Sequence, residues 1–490
     1  MPTNSLVSGN VVQITLDADD YVTVANAQVF YPGGSSTVTT ATQFGPYSGG
    51  GAVRIVAGAS CTYTVTDATP ATAPLMATPA QAAAFTGLVS GVWNPQPIAS
   101  WRTIGSVTDS ALAIGVGAYK TTDIQVPAPF GEVYGIRIVL GNLDTAASLL
   151  VDAVKIASAG VHLNSAASAL TWVPVTFSGS ASASVPAAGA VIGNQVQPGL
   201  LLSDLIPVRS IARSDGGSRK LFRVRALMSG GGSGRTVHTL QMGNAYAATW
   251  NADSRVNGYQ VGHTTHSADY VTTTSDGNVV YEGATAHCPV FTVLFYGTSS
   301  GVHGVAVGDS LVQGQLSSAG NYLGWPQLAT MRGNGDLTLA NFGSSGQYMP
   351  DTLATLKRVV DTIKPGFVVM RNFTINGGAG AQSDFDTKFA MFLEGADYCR
   401  RNGIVFVGLT TTPVNSWSAG VAAMMATLNA RTMALPQSPY FRVIDTATPV
   451  LDPANPSQIL AAYNGDGTHL NDAGYYLQAQ AFRAGMGLAS

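Results

Sequence analysis

Three side chains in the last third of this 490-residue chain have the types and order needed for nucleophilic catalysis. Ser310 lies in Gly308-Asp309-Ser310-Leu311, directly after the apolar run Val305-Ala306-Val307. In open α/β sheets, ligands gather beyond the carboxyl ends of the strands, so a serine there is a candidate nucleophile. An alcohol is a weak nucleophile near neutral pH and needs a base. His469, the only histidine after His303, sits in Asp466-Gly467-Thr468-His469. An aspartate three residues ahead can turn back to accept the imidazole N–H, which sets tautomer and orientation. The chain order is Ser, Asp, His. The Gly-x-Ser-x-Gly frame of the nucleophile elbow is absent, because position 312 is Val.

Acyl transfer also needs donors for the oxyanion that develops on the carbonyl. The glycine-rich stretch Asn341-Phe342-Gly343-Ser344-Ser345-Gly346 follows Leu337-Thr338-Leu339-Ala340, and the backbone N–H of Gly343 is a candidate donor. A side-chain amide would come from Asn376, with Asn372 the competing choice.

The segments around these residues alternate between strand and helix. Strands are predicted at 305–307, 366–370, 404–409 and 441–445, and helices over 351–362, 383–401, 421–434 and 471–486. That alternation is the pattern of a parallel sheet covered on both faces. Before residue 300 the chain reads differently. Residues 1–66 are short alternating strands punctuated by Pro32-Gly33-Gly34 and Gly49-Gly50-Gly51, a small β module. Residues 67–94, with Pro70, Pro74 and Pro79 among Ala and Thr, suit an extended linker. Residues 95–300 read as a β-sandwich of jelly-roll type, with turn signals at Asp215-Gly216 and Asp276-Gly277. In Leu221–Leu227, Phe222, Val224 and Ala226 are expected to face a core, and Arg223 and Arg225 solvent. The fold class is therefore multidomain: N-terminal β modules followed by a C-terminal α/β unit over 301–490.

Composition narrows the function. The chain is 46% hydrophobic and 10% charged, with 24 Lys+Arg against 27 Asp+Glu and a net charge of −3. Nucleic-acid tracking needs a concentrated basic face, which this balance does not supply. No apolar run approaches the roughly 20 residues that span a bilayer. Met1-Pro2-Thr3-Asn4-Ser5 lacks the basic and apolar regions of a signal peptide, so synthesis in the cytoplasm is expected. Cys61, Cys288 and Cys399 are far apart without metal-site spacing and are expected to be buried thiols. Trp93, Trp101, Trp172 and Trp250 are expected to pack in the sandwich rather than form a sugar platform.

The blocks around the serine, glycine, asparagine and histidine resemble the SGNH (GDSL) hydrolase family. Gly308-Asp309-Ser310-Leu311 reproduces the first block, and Gly324-Trp325-Pro326-Gln327-Leu328 downstream also resembles the family. Asn341-Phe342-Gly343 resembles the glycine block, and Asp466-Gly467-Thr468-His469-Leu470-Asn471 with Gly474 the last. The third block departs: the family's common Gly-x-Asn-Asp is replaced by Phe373-Thr374-Ile375-Asn376-Gly377. The resemblance spans about residues 303–488. It implies a three-layer α/β hydrolase with Ser310 as nucleophile, His469 as base and Asp466 as its orienter. Ser310, Gly343 and Asn376 would form the oxyanion hole, with no metal or cofactor. β-sandwich modules beside such a unit resemble carbohydrate esterases, which implies O-deacetylation of a cell-surface polysaccharide. The small N-terminal module and the Pro/Ala linker look like those of a phage tail fibre or tailspike. A virion or extracellular site of action, phage tail proteins as partners and a homotrimer are implied. The alternatives are a non-catalytic receptor-binding fibre and a lipase or polyester hydrolase.

Overall fold

The computed structural model describes residues 4–6, 11–16, 20–31, 34–44, 51–67, 97, 99–102, 106–127, 132–159, 170–211, 221–243, 262–266, 285–298, 301–317, 324–331 and 336–489. Most of the predicted linker falls outside them, as do both Asp-Gly turn signals, Trp93 and Trp250.

In the C-terminal part, five parallel strands form one sheet: β1 (Val302–Gly308), β2 (Leu337–Gly343), β3 (Phe367–Arg371), β4 (Val405–Leu409) and β5 (Phe441–Ile444). Their spatial order is β2-β1-β3-β4-β5, so the chain reverses direction across the sheet between β1 and β3. That topological switch point is where an open α/β sheet places its ligand crevice. The helices are α1 (Ser310–Gln313), α2 (Trp325–Met331), α3 (Met349–Thr362), α4 (Gln382–Arg401), α5 (Ala419–Met433) and α6 (Asp472–Gly485). Val305, Val307, Val368 and Met370 pack with α3, α4 and α5, while Ala306, Val369, Val407 and Leu409 pack with α2 and α6. Both strand faces are therefore apolar, and the unit has three layers.

Local chemistry sets the helix starts. Asp351 accepts the Tyr348 N–H at 3.0 Å at the head of α3, and Asp384 accepts those of Gly380 and Ala381 at 3.0 and 3.1 Å at the head of α4. Asn471 caps α6 through the Gly474 N–H at 3.1 Å.

Upstream, two five-stranded antiparallel sheets face each other. One is ordered 199–202, 132–142, 290–298, 99–102, with a fifth short strand, 206–207, also paired to 132–142; the other is ordered 173–175, 153–159, 221–229, 119–127, 262–266. Ile136, Ile138, Val293 and Phe295 from the first meet Ile124, Ile156, Phe222 and Val224 from the second in one core. Phe222 and Phe295 lie 5.6 Å apart between ring centroids. Residues 4–67 contribute a six-stranded sheet with a core of its own, including Val22, Val29, Val53, Ile55 and Cys61.

Two expectations about side chains fare differently. All three cysteines are free and buried. Arg223 and Arg225, expected in solvent, are instead 1% and 0% exposed and converge on the buried Asp123 at 2.7 Å each. Their strand lies inside its sheet with the second face also covered, so alternation marks two buried faces, one apolar and one ionic. The Trp172 ring is half-buried, with Lys155 and Arg225 each 4.6 Å from its centroid.

Candidate active site

Gly308 ends β1 and turns the chain into α1. A Cβ there would lie 2.5 Å from Val312 Cγ2, so the turn needs a glycine. Asp309 caps α1 by accepting the Leu311 N–H at 3.0 Å, and this presents Ser310 as the first helical residue, 3% exposed.

The histidine arrives on the loop before α6. Asp466 Oδ1 accepts the N–H groups of Thr468 at 2.9 Å and His469 at 2.8 Å. Gly467, at φ +90°, closes that turn, and its N–H donates to Asn464 Oδ1 at 2.6 Å. Asp466 Oδ2 is then left facing His469 Nδ1 at 2.9 Å, while His469 Nε2 meets Ser310 Oγ at 2.8 Å. The three predicted residues, 159 positions apart at the extremes, form one hydrogen-bonded line. Burial raises the Asp466 pKa, but the His469 N–H, the imidazole and the Thr468 N–H outweigh it, so the carboxyl sits below its ordinary value. This geometry suits proton transfer from Ser310 Oγ to Nε2, with the carboxylate supporting the imidazolium that results.

Of the two asparagines, Asn372 is fully buried and spends its amide on α5, at 2.9 Å from both Asn429 Oδ1 and Thr432 Oγ1. Asn376 is half-buried on the loop after β3, and its Nδ2 donates to Gln347 O at 3.2 Å. The loops after β2 and β3 are thus joined at this amide.

The expectation for Gly343 needs correction. This residue is still in β2, and its N–H donates to Asn341 Oδ1 at 2.8 Å. The α1 backbone at Gln313 N crowds the place a Cβ would occupy. Its donor is spent inside the fold because the strand continues three residues past Ala340. The turn begins only at Ser344, where the Gln347 N–H returns to Ser344 O at 3.3 Å. Gly346 holds the third position of that turn at φ +79°, the geometry of a type II turn. Among the described residues, no protein acceptor takes the N–H of Gly346 or of Ser310.

Sequence reasoning missed the buried charges under these loops. Lys388 of α4, 6% exposed, donates to Thr374 O, Asn376 O and Gly378 O at 2.9, 2.8 and 2.6 Å. Its ammonium also lies 4.0 Å from the Phe373 ring centroid. Burial lowers its pKa to about 8, against the pull of Asp384 and Asp309. Asp309 is itself buried and raised above its ordinary value by that burial, with Arg371 opposing the shift. Its Oδ2 accepts the Ile375 N–H at 3.3 Å, which ties the Ser310 turn to the Asn376 loop. A sequence signal for Lys388 existed: it shares the apolar face of α4 with Phe385, Phe389 and Phe392. Among the described residues, no cluster of three or more His, Cys, Asp or Glu is arranged to hold a metal ion.

No protein-family model matches the sequence, and no curated protein does. Solved structures are similar over part of the chain. A lipolytic protein of the G-D-S-L family from Desulfitobacterium hafniense is 19% identical, covering 38% of this chain and 99% of its own, with a TM-score of 0.31. A GDSL-like lipase from Bacteroides thetaiotaomicron is 17% identical, covering 39% and 92%, TM-score 0.31. An acetyl xylan esterase from Geobacillus stearothermophilus is 16% identical, covering 39% and 97%, TM-score 0.32.

Proposed function

We propose that this chain is a serine esterase that hydrolyses short-chain carboxylic esters, and that its natural substrate is an O-acetylated cell-surface polysaccharide met from a virion. The observation that carries the catalytic reading is the line from Asp466 Oδ2 through His469 to Ser310 Oγ, at 2.9 and 2.8 Å. In this reading Ser310 Oγ attacks the ester carbonyl as His469 Nε2 takes its proton. The oxyanion is held by the N–H groups of Ser310 and Gly346 and the amide of Asn376, with Gly346 taking the place first given to Gly343. His469 then protonates the departing alcohol, and a water activated by the same imidazole releases the acid. The polysaccharide is favoured by the β-sandwich packed against this unit, and the virion by the separate N-terminal sheet and a chain only 10% charged. Attachment to other tail proteins and assembly as a homotrimer belong to the same proposal.

The test is turnover of p-nitrophenyl acetate and butyrate by the wild type beside Ser310→Ala. Acetate is expected to exceed butyrate, and the variant to lose at least about 10³-fold in kcat/KM, as when a triad member is removed. Acetate release from O-acetylated polysaccharide, abolished by the same substitution, then tests the substrate. Equal rates in both proteins would remove Ser310 from the chemistry. No turnover by either, on any ester or polysaccharide, would leave a receptor-binding fibre, and a preference for longer acyl chains a lipase or polyester hydrolase.

A further inference from the structure

The hairpin formed by strands Gly189–Ile192 and Gln195–Gln197 leaves the β-rich region and reaches the turn after β2. Gln195 Nε2 donates to Ser345 O at 2.9 Å, and Asn194 Nδ2 to Gly346 O at 2.7 Å. The hairpin is held in place by Asp351 of α3, whose carboxylate accepts the N–H groups of Asn194 at 3.0 Å and Gln195 at 3.1 Å. Gly193, at φ +64°, brings the hairpin tip so close that a side chain there would strike the Asp351 carboxylate.

We propose that Gln195 and Asn194 are positioning residues of the esterase site, holding the 344–347 turn in the form that aims the Gly346 N–H at the oxyanion. The inference rests on the esterase reading above. Its physical basis is the peptide unit itself. Ser345 C=O and Gly346 N–H belong to one planar trans peptide, so they point in opposite directions. A donor that captures the carbonyl on the hairpin side sends the N–H to the other side. Type I and type II turns differ chiefly by a rotation of this central peptide, and glycine at the third position is compatible with both. The turn alone therefore has two forms available, and only one offers the N–H. Gln195 selects that form from a part of the chain about 150 residues away. Ser345 Oγ, which donates to Gln315 Oε1 at 3.0 Å, and the Ser344 N–H, which donates to Gly308 O at 2.9 Å, anchor the turn without setting the central peptide.

The test uses the full chain with Gln195→Met, which keeps length and loses the donor, and Gln195→Glu, which keeps shape and turns donor into acceptor. Asn194→Ala is measured beside them, with Ser310→Ala as the reference. One oxyanion donor is worth about 10²–10³ in kcat. The Gln195 variants are expected to lose about tenfold or more in kcat on p-nitrophenyl acetate, Glu more than Met, with KM within about threefold. Affinity for a trifluoromethyl ketone, which forms an oxyanion on the enzyme, should fall in step with kcat/KM. Rates are read well below each variant's thermal midpoint. A kcat within twofold of wild type for both Gln195 variants, while Ser310→Ala is inactive, would overturn the inference and leave the esterase intact. So would a loss of thermal midpoint with ketone affinity unchanged. Wild-type turnover by Ser310→Ala would overturn the esterase reading and this inference with it.

Discussion

Asp466 divides its work between two oxygens: Oδ1 builds the turn that delivers His469, and Oδ2 faces the imidazole. An amide can keep the first role and not the second. In Asp466→Asn the turn should survive, while an N–H facing Nδ1 would force the tautomer with its proton on Nε2, where it cannot accept from Ser310. We expect kcat on p-nitrophenyl acetate to fall about 10³–10⁴-fold with the circular dichroism unchanged; a fall below tenfold would remove the aspartate from the mechanism. The convergence of Ser310, Asp466 and His469 was legible in sequence because each sits in a short loop whose neighbours specify it: a glycine after a strand, or an Asp-Gly turn before a helix. Gly343 was misjudged for the complementary reason. Whether a glycine lies in a strand or in the turn beyond it depends on how far the ladder runs, and the β1–β2 pairing runs to Gly308–Gly343. Gly346 was in view in the same run, but nothing local distinguished it.

At the scale of elements, the predicted helices and parallel strands lie within a few residues of the observed ones, because each is a long amphipathic stretch or a doubly covered apolar run. The same pattern places a lysine, Lys388, on the apolar side of α4. An ammonium has three donors, and Lys388 uses three, on the alternate carbonyls of Thr374, Asn376 and Gly378. The neutral amine has two. With its pKa lowered to about 8, Lys388 loses both charge and a donor as pH rises past that value, and the loop that presents Asn376 loosens. Activity is therefore expected to decline above about pH 8. Stability should not decline with it on this residue's account. Between about 8 and the ordinary lysine value of 10.5 the unfolded chain holds more protons than the folded one, so the Lys388 contribution to stability rises with pH. Lys388→Arg, charged throughout, should lose this alkaline limb in a kcat–pH profile whatever its absolute rate. An unchanged limb would assign the decline to another group.

Across the whole molecule, the sheet of strands 132–142 and 290–298 has two apolar faces. One joins the sandwich core; the other, with Val139, Phe291, Leu294 and Tyr296, shares a core with Phe342, Leu356 and Val359 of the α/β unit. Phe291 lies 5.6 Å from Phe342 between ring centroids. Alternation in sequence gave these strands their faces but could not name the partner of the second, just as it mistook Arg223 and Arg225 for solvent-facing residues. Truncating a buried phenylalanine typically costs about 3–5 kcal/mol. Phe291→Ala should therefore lower the denaturation midpoint of the α/β unit as well as that of the sandwich, read by probes placed in each; an effect confined to the sandwich would deny the shared core. Whether the assembly serves one nucleophile is read from intact-protein mass after exposure to a fluorophosphonate, with peptide mapping of the adduct. One adduct per chain on Ser310, absent in Ser310→Ala and formed much more slowly in His469→Ala, is the expected result. An adduct on another residue, or none from a protein that turns over esters, would contradict it.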